Sequence, residues 1–84
     1  MDWHVYFLKS SRDKWYYVGS TNRLEQRVIE HNSGKVNSTK KHIPLNLVHS
    51  IIFTNEKEAR EYERKVKDMR IEKERIIKEI ENRL

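Results

Sequence analysis

Trp3-His-Val-Tyr-Phe-Leu-Lys9 and Trp15-Tyr-Tyr-Val-Gly19 are two short runs rich in aromatic and β-branched residues. The polar stretch Ser10-Ser-Arg-Asp-Lys14 separates them. Bulky side chains pack well on a pleated surface and a short polar segment turns easily, so this pattern predicts an antiparallel hairpin. Strand alternation puts His4, Tyr6 and Leu8 on one face of the first strand, and Trp15, Tyr17 and Gly19 on one face of the second. Tyr6 and Tyr17 then project to the same side in a suitable register, which the sequence leaves open. Tyr16 falls on the opposite face, a packing position.

A two-stranded hairpin needs cover, and the following residues supply it. Ser20-Thr21-Asn22 offers N-cap candidates, with Glu25 placed as the capping-box partner of Asn22. The helix is expected to run to about His31 or Asn32, with Gly34 as its stop. Leu24 and Val28 form its apolar stripe. Arg27 and His31, spaced i and i+4, share a neighbouring face. Residues 33–44 show no periodicity and carry Lys35, Lys40, Lys41 and His42, a basic loop.

Leu45 to Phe53 reads as a third strand packed between helices, with Pro44 tolerated at its entry. Thr54-Asn55 opens another helix, with Glu56 and Glu58 suited to its positive end. Ala59, Tyr62, Val66 and Met69 form the buried stripe of that helix. A last helix follows from about Ile71, with Ile76, Ile77, Ile80 and Leu84 on one side. The order β-β-α-β-α-α defines a small α+β domain: a three-stranded antiparallel sheet flanked by helices. A single domain over residues 1–84 is expected, with its core at about 3–70 and an additional C-terminal helix at 71–84.

Composition narrows the function. The 84 residues contain 18 Lys and Arg against 13 Asp and Glu, a net charge of +5. The excess is uneven: residues 1–54 hold eight basic and four acidic side chains, residues 55–84 ten and nine. Basic charge therefore gathers around the tyrosines and Arg27, which suits a polyanionic partner such as nucleic acid, though a solvated basic surface looks the same. No cysteine is present, so disulfides and Cys-based zinc sites are excluded. His4, His31, His42 and His49 lack the spacing of a zinc site. Two glycines exclude nucleotide-binding fingerprints. No apolar run approaches membrane length and no signal-peptide stretch is evident, so a cytoplasmic protein is expected, with no membrane partner.

Glu63 stands out among the candidate site residues. It lies between Ala59 and Val66, at the edge of a core-facing stripe, where a carboxylate must be paired, protonated or bound to a cation. A salt bridge and a metal ligand are both open. A single carboxylate with several waters is an ordinary way to hold Mg²⁺. Arg27 suits a phosphoryl group because its fork donates two parallel hydrogen bonds. His31 can join proton transfer or cap a helix end. Gly19 is explained by backbone need, as the structural turn where the chain leaves the strand and enters a helix; close approach or positive φ would both call for it.

Taken jointly, Trp3-His-Val-Tyr-Phe-Leu, Tyr17-Val-Gly, Leu24-Glu-Gln-Arg27-Val-Ile-Glu-His31-Asn-Ser-Gly34 and Glu58-Ala59-Arg-Glu-Tyr-Glu63 resemble the GIY-YIG nuclease superfamily. The resemblance runs from about residue 3 to residue 70, with His4 where the motif has its first glycine. It is closest to the small stand-alone bacterial members, which are similar to the N-terminal nuclease domain of the repair protein UvrC.

That resemblance implies metal-dependent hydrolysis of phosphodiester bonds in DNA, with Mg²⁺ or Mn²⁺ as cofactor and a role in DNA repair or recombination. Carried over residue by residue, Tyr6 and Tyr17 match the two motif tyrosines, Arg27 the helix arginine, His31 the histidine of some members, and Glu63 the metal-binding glutamate. Water would attack phosphorus in line, and Tyr6, its pKa lowered by the nearby cation, would accept the proton. Tyr17 would orient water or phosphate, His31 would join the relay, Arg27 would stabilise the transition state, and metal on Glu63 the leaving oxygen. Lys35, Lys40 and Lys41 are expected to bind DNA, with shape, ends or junctions recognised rather than a long sequence. The alternative is a nucleic-acid-binding module of the same fold with little or no cleavage. The C-terminal helix packs on the domain, contacts a partner protein or mediates self-association.

Overall fold

The computed structural model describes residues 1–83; Leu84, expected on the apolar side of the last helix, lies outside the described residues. Strands β1 (Trp3–Ser10), β2 (Tyr16–Thr21) and β3 (Leu45–Phe53) alternate with helices α1 (Leu24–Asn32), α2 (Glu56–Asp68) and α3 (Arg70–Arg83), and a short 3-10 turn spans Lys40–His42. The order is β-β-α-β-α-α, and the sheet is antiparallel throughout with strand order β2-β1-β3. β1 is therefore central. β3 is an edge strand rather than one enclosed by helices, and Asn46, Leu47, Ser50 and Ile52 on it are exposed. Among the described residues no helix is long and apolar enough to cross a membrane.

Alternation along β1 feeds two cores. Val5 and Phe7 point to one side and join Val18, Ala59, Val66, Ile76 and Ile80, so α2 and α3 cover that face. Tyr6 and Leu8 point to the other, joining Leu45 with Leu24 and Val28 of α1. The last helix is part of this packing: Ile76 and Ile80 are buried, while Ile71 stays 82% exposed. Met69, expected in the buried stripe of α2, is half-exposed instead, because its extended backbone breaks the chain between α2 and α3. Asn55 caps α2 as its position suggests, its side-chain oxygen accepting from the Glu58 N–H at 2.9 Å.

The capping box expected at Asn22 and Glu25 does not form. Thr21 is still paired with His4 in the sheet, so the helix starts only at Leu24, and Arg23 holds the cap position with no side-chain bond. The Thr21 hydroxyl accepts from the Arg23 N–H at 3.0 Å instead. At the other end Gly34 takes φ of +81°, the left-handed conformation that glycine supplies after a helix. The Asn32 side chain then ties α1 to β3, accepting from the Leu45 N–H at 2.7 Å and donating to its carbonyl at 2.9 Å. The basic loop is fastened to the hairpin, where Ser10 donates to the His42 carbonyl at 2.8 Å and the His42 ring stacks on Trp15.

Candidate active site

The hairpin register pairs Tyr6 with Gly19 and Leu8 with Tyr17. Residues opposite one another in an antiparallel pair share a face, so both tyrosines project to the same side, diagonally across the two strands. Their ring centroids are 6.1 Å apart. Gly19 makes this possible. It lies inside β2, not at a turn, and its φ is not positive. A Cβ there would stand 2.7 Å from the Tyr6 hydroxyl and 2.9 Å from Tyr17 Cε2. The expectation of a structural turn at Gly19 is thus corrected: the glycine is required by the Tyr6 ring crossing over it.

Tyr6, Tyr17, Gly19, Arg27 and Glu63 all line one cavity of about 390 Å³, together with Trp3, Ser20, Thr21, Asn22, Arg23 and Arg60. Glu63 reaches it from α2, across the edge of β2. One Glu63 oxygen accepts from the Ser20 hydroxyl and the other from the Lys67 ammonium, each at 2.5 Å. Its side chain is only 18% exposed. Arg27 enters from α1 and is held by Glu30 at 3.0 Å, while Arg23 approaches the same carboxylate at 3.6 Å. These arginines keep the Glu30 carboxyl below its usual range, Arg27 foremost.

His31 does not line the cavity; it is fully buried behind Tyr6. Its Nε2 lies 2.9 Å from the Tyr6 hydroxyl and its Nδ1 lies 2.8 Å from Thr39 Oγ1. Burial first, and the charge of Arg27 second, push the imidazole down to about 4, so it is neutral at pH 7. With Thr39 donating to the Val36 carbonyl, 3.4 Å away, its oxygen would accept from His31 Nδ1–H and Nε2 would accept from the Tyr6 hydroxyl; the opposite tautomer reverses both bonds.

From the protein's own groups alone, Tyr6 is shifted upward. Burial raises its pKa, with Tyr17 adding to the effect and Arg27 offsetting part of it. The protein groups around it do not acidify the phenol, because the 1% exposed ring is poorly solvated and a phenolate there is disfavoured. Lys35, Lys40 and Lys41 are exposed and none lines the cavity; the basic residues that do are Arg23, Arg27 and Arg60.

Sequence reasoning overlooked Ser20 as a carboxylate partner, Thr39 and Glu30, whereas the salt bridge left open at Glu63 is formed, with Lys67. Glu30 and Lys67 were accessible through helical spacing, three residues after Arg27 and four after Glu63. Thr39 sits in an aperiodic loop, where nothing in the sequence marks it.

Among the described residues no group of three or more His, Asp or Glu side chains is arranged to hold a metal. The donor set at the cavity is one carboxylate beside hydroxyls. That set fits a hard, oxygen-seeking ion that retains water, such as Mg²⁺ or Mn²⁺, and does not fit zinc.

A central strand tyrosine over a glycine, a second tyrosine beside it, a helix arginine and a carboxylate on the next helix define a GIY-YIG domain. The family model for the GIY-YIG catalytic domain matches residues 2–81, and the chain belongs to this family of nuclease domains. It is similar to a UPF0213 protein of Bacillus licheniformis, 36% identical over 78 residues, covering 90% of this chain and 80% of the relative. A UPF0213 protein of Syntrophus aciditrophicus is 38% identical over 84 residues, covering 96% of this chain and 95% of the relative. The solution NMR structure of a UPF0213 protein from Bacillus halodurans is also similar, with a TM-score of 0.59 and 31% identity, covering 93% of this chain and 84% of that one.

Proposed function

We propose that this protein is a divalent-metal-dependent endonuclease that hydrolyses phosphodiester bonds in DNA, acting in repair or recombination. The observation that carries this reading is the convergence of Tyr6, Tyr17, Arg27 and Glu63 on one polar cavity. A binding module needs cations there but has no use for a partly buried carboxylate beside two phenols.

The proton path is a relay rather than an acidified phenol. A water poised at the Tyr6 oxygen gives up its proton there as Tyr6 passes its own proton to His31 Nε2. No buried phenolate accumulates, which matters because burial and Tyr17 both oppose one. His31 starts neutral and its far nitrogen is steadied by Thr39, so it orients the Tyr6 hydroxyl; the burial that holds its pKa near 4 lets it carry the proton only transiently. Arg27, aligned by Glu30, binds the phosphate oxygens and offsets the charge that grows on them. Tyr17 lines the cavity beside Tyr6 and orients the phosphate or the water. Glu63 would hold a Mg²⁺ or Mn²⁺ ion with water filling its shell, and such an ion supplies neutralisation of charge on the leaving oxygen when bound.

Nicking of linear and branched DNA, measured with and without Mg²⁺ or Mn²⁺, tests this reading. Wild type should nick only with metal. Glu63→Gln and Tyr6→Phe should fall by at least ~10²-fold while their circular dichroism stays native. Full activity in Glu63→Gln would sink the metal-ligand assignment. A second reading, a DNA-binding module that cuts slowly or not at all, draws support from Glu63 having both oxygens already engaged. Salt-dependent DNA binding without nicking at any metal concentration would favour it.

A further inference from the structure

Lys67 lies one turn after Glu63 on α2, and this inference rests on Glu63 as the metal ligand. The Lys67 ammonium donates to Glu63 Oε2 at 2.5 Å and sits 5.6 Å from the centroid of the Tyr17 ring. The Ser20 hydroxyl holds Oε1 at 2.5 Å. The carboxylate that borders the cavity therefore already carries a cation, set between a carboxylate oxygen and the face of the second motif tyrosine. An ammonium and a divalent ion both require that negative charge. Two cations at one carboxylate also repel strongly, because Glu63 is largely shielded from water.

Lys67 has somewhere else to go. Its side chain is 43% exposed and ends on a flexible stem. It also lines a groove of about 220 Å³ that continues outward from Glu63 along α2, shared with Arg60, Arg64 and Asp68. No step of the proton relay through Tyr6 and His31 uses it. We propose that Lys67 is a built-in competitor for the cation position of Glu63, and that it swings into the adjoining groove before a divalent ion binds. Lys67 thereby sets how much divalent metal the site requires. A neutral side chain at this position tightens metal binding, which is the opposite of what a metal-site support residue would do.

The experiment is a titration of the full-length protein with Mn²⁺, followed by the electron paramagnetic resonance of the free ion. Lys67→Met keeps an unbranched apolar stem across Tyr17 while removing the charge, and Lys67→Arg keeps the charge. Lys67→Met should bind Mn²⁺ about fivefold more tightly than wild type, as expected for removing one partly exposed ion pair and its repulsion. Lys67→Arg should stay close to wild type. Both variants should unfold cooperatively by circular dichroism. Equal or weaker Mn²⁺ binding in Lys67→Met overturns the proposal, and so does an absence of binding in both it and wild type. Glu63→Gln separates the metal-ligand reading from the competitor role. Unchanged Mn²⁺ binding in that variant removes the metal-ligand reading and this inference with it, whereas a Glu63-dependent site indifferent to Lys67 removes this inference alone.

Discussion

His31 is held between two hydroxyls, Tyr6 at 2.9 Å and Thr39 at 2.8 Å, with no exposure to solvent. This makes it a source of acid sensitivity. Its pKa falls from 6.5 to about 4 in the folded protein because burial disfavours the charged ring. As pH drops through 6.5 the unfolded chain takes up a proton at this residue, while the folded chain resists until about 4. Across that window the unfolded state binds more protons, so stability is full above pH 6.5 and declines toward pH 4, by roughly 3 kcal/mol in all. Urea midpoints at pH 7.5 and 4.5 measure it. His31→Gln, which cannot titrate, should show a clearly smaller loss between the two. An undiminished loss would assign the acid limb to other groups.

At the level of elements, α3 covers the same core as α2, with Ile80 fully buried among Val5, Phe7 and Val66. Ile80→Ala leaves a cavity there and should cost about 3 kcal/mol. That is a large share of the ~5 kcal/mol available to a domain this small. The shift in urea midpoint checks it, and a loss below 1 kcal/mol would mean α3 is only loosely attached. Most of this architecture was legible in the sequence. The aromatic hairpin, the helix opening at Thr54-Asn55, the β3 run and most of the α2 stripe all rest on local periodicity or helix-start signals, which act over a few residues. What was not legible depends on long-range pairing. The order β2-β1-β3 decides that β3 is an edge. The Tyr6–Gly19 pairing decides why a glycine is needed, and a loop folding back on the hairpin decides that Thr39 meets His31. The burial that raises Tyr6 was not legible for the same reason, since burial is a property of the packed domain rather than of its motif.

For the whole molecule, two sets of basic side chains sit differently relative to the cavity. Arg23, Arg27 and Arg60 line the cavity, whereas Lys35, Lys40 and Lys41 are exposed outside it on the loop fastened to the hairpin. An arginine bound to the reacting phosphate acts on the chemical step; a lysine touching flanking phosphates acts on affinity through counterion release. If the three lysines neutralise phosphates of the DNA backbone, replacing all three with alanine lowers the log–log salt slope by about 0.9 for each phosphate released, about 2–3 in total. That slope is measured by fluorescence anisotropy in the Glu63→Gln background, which prevents cutting during the titration. In the otherwise unaltered protein the triple variant should keep its turnover at saturating DNA. Arg27→Ala should do the reverse, lowering saturated turnover ~10²-fold while changing the slope by no more than about 1. A triple variant with an unchanged slope would place the lysines away from the DNA.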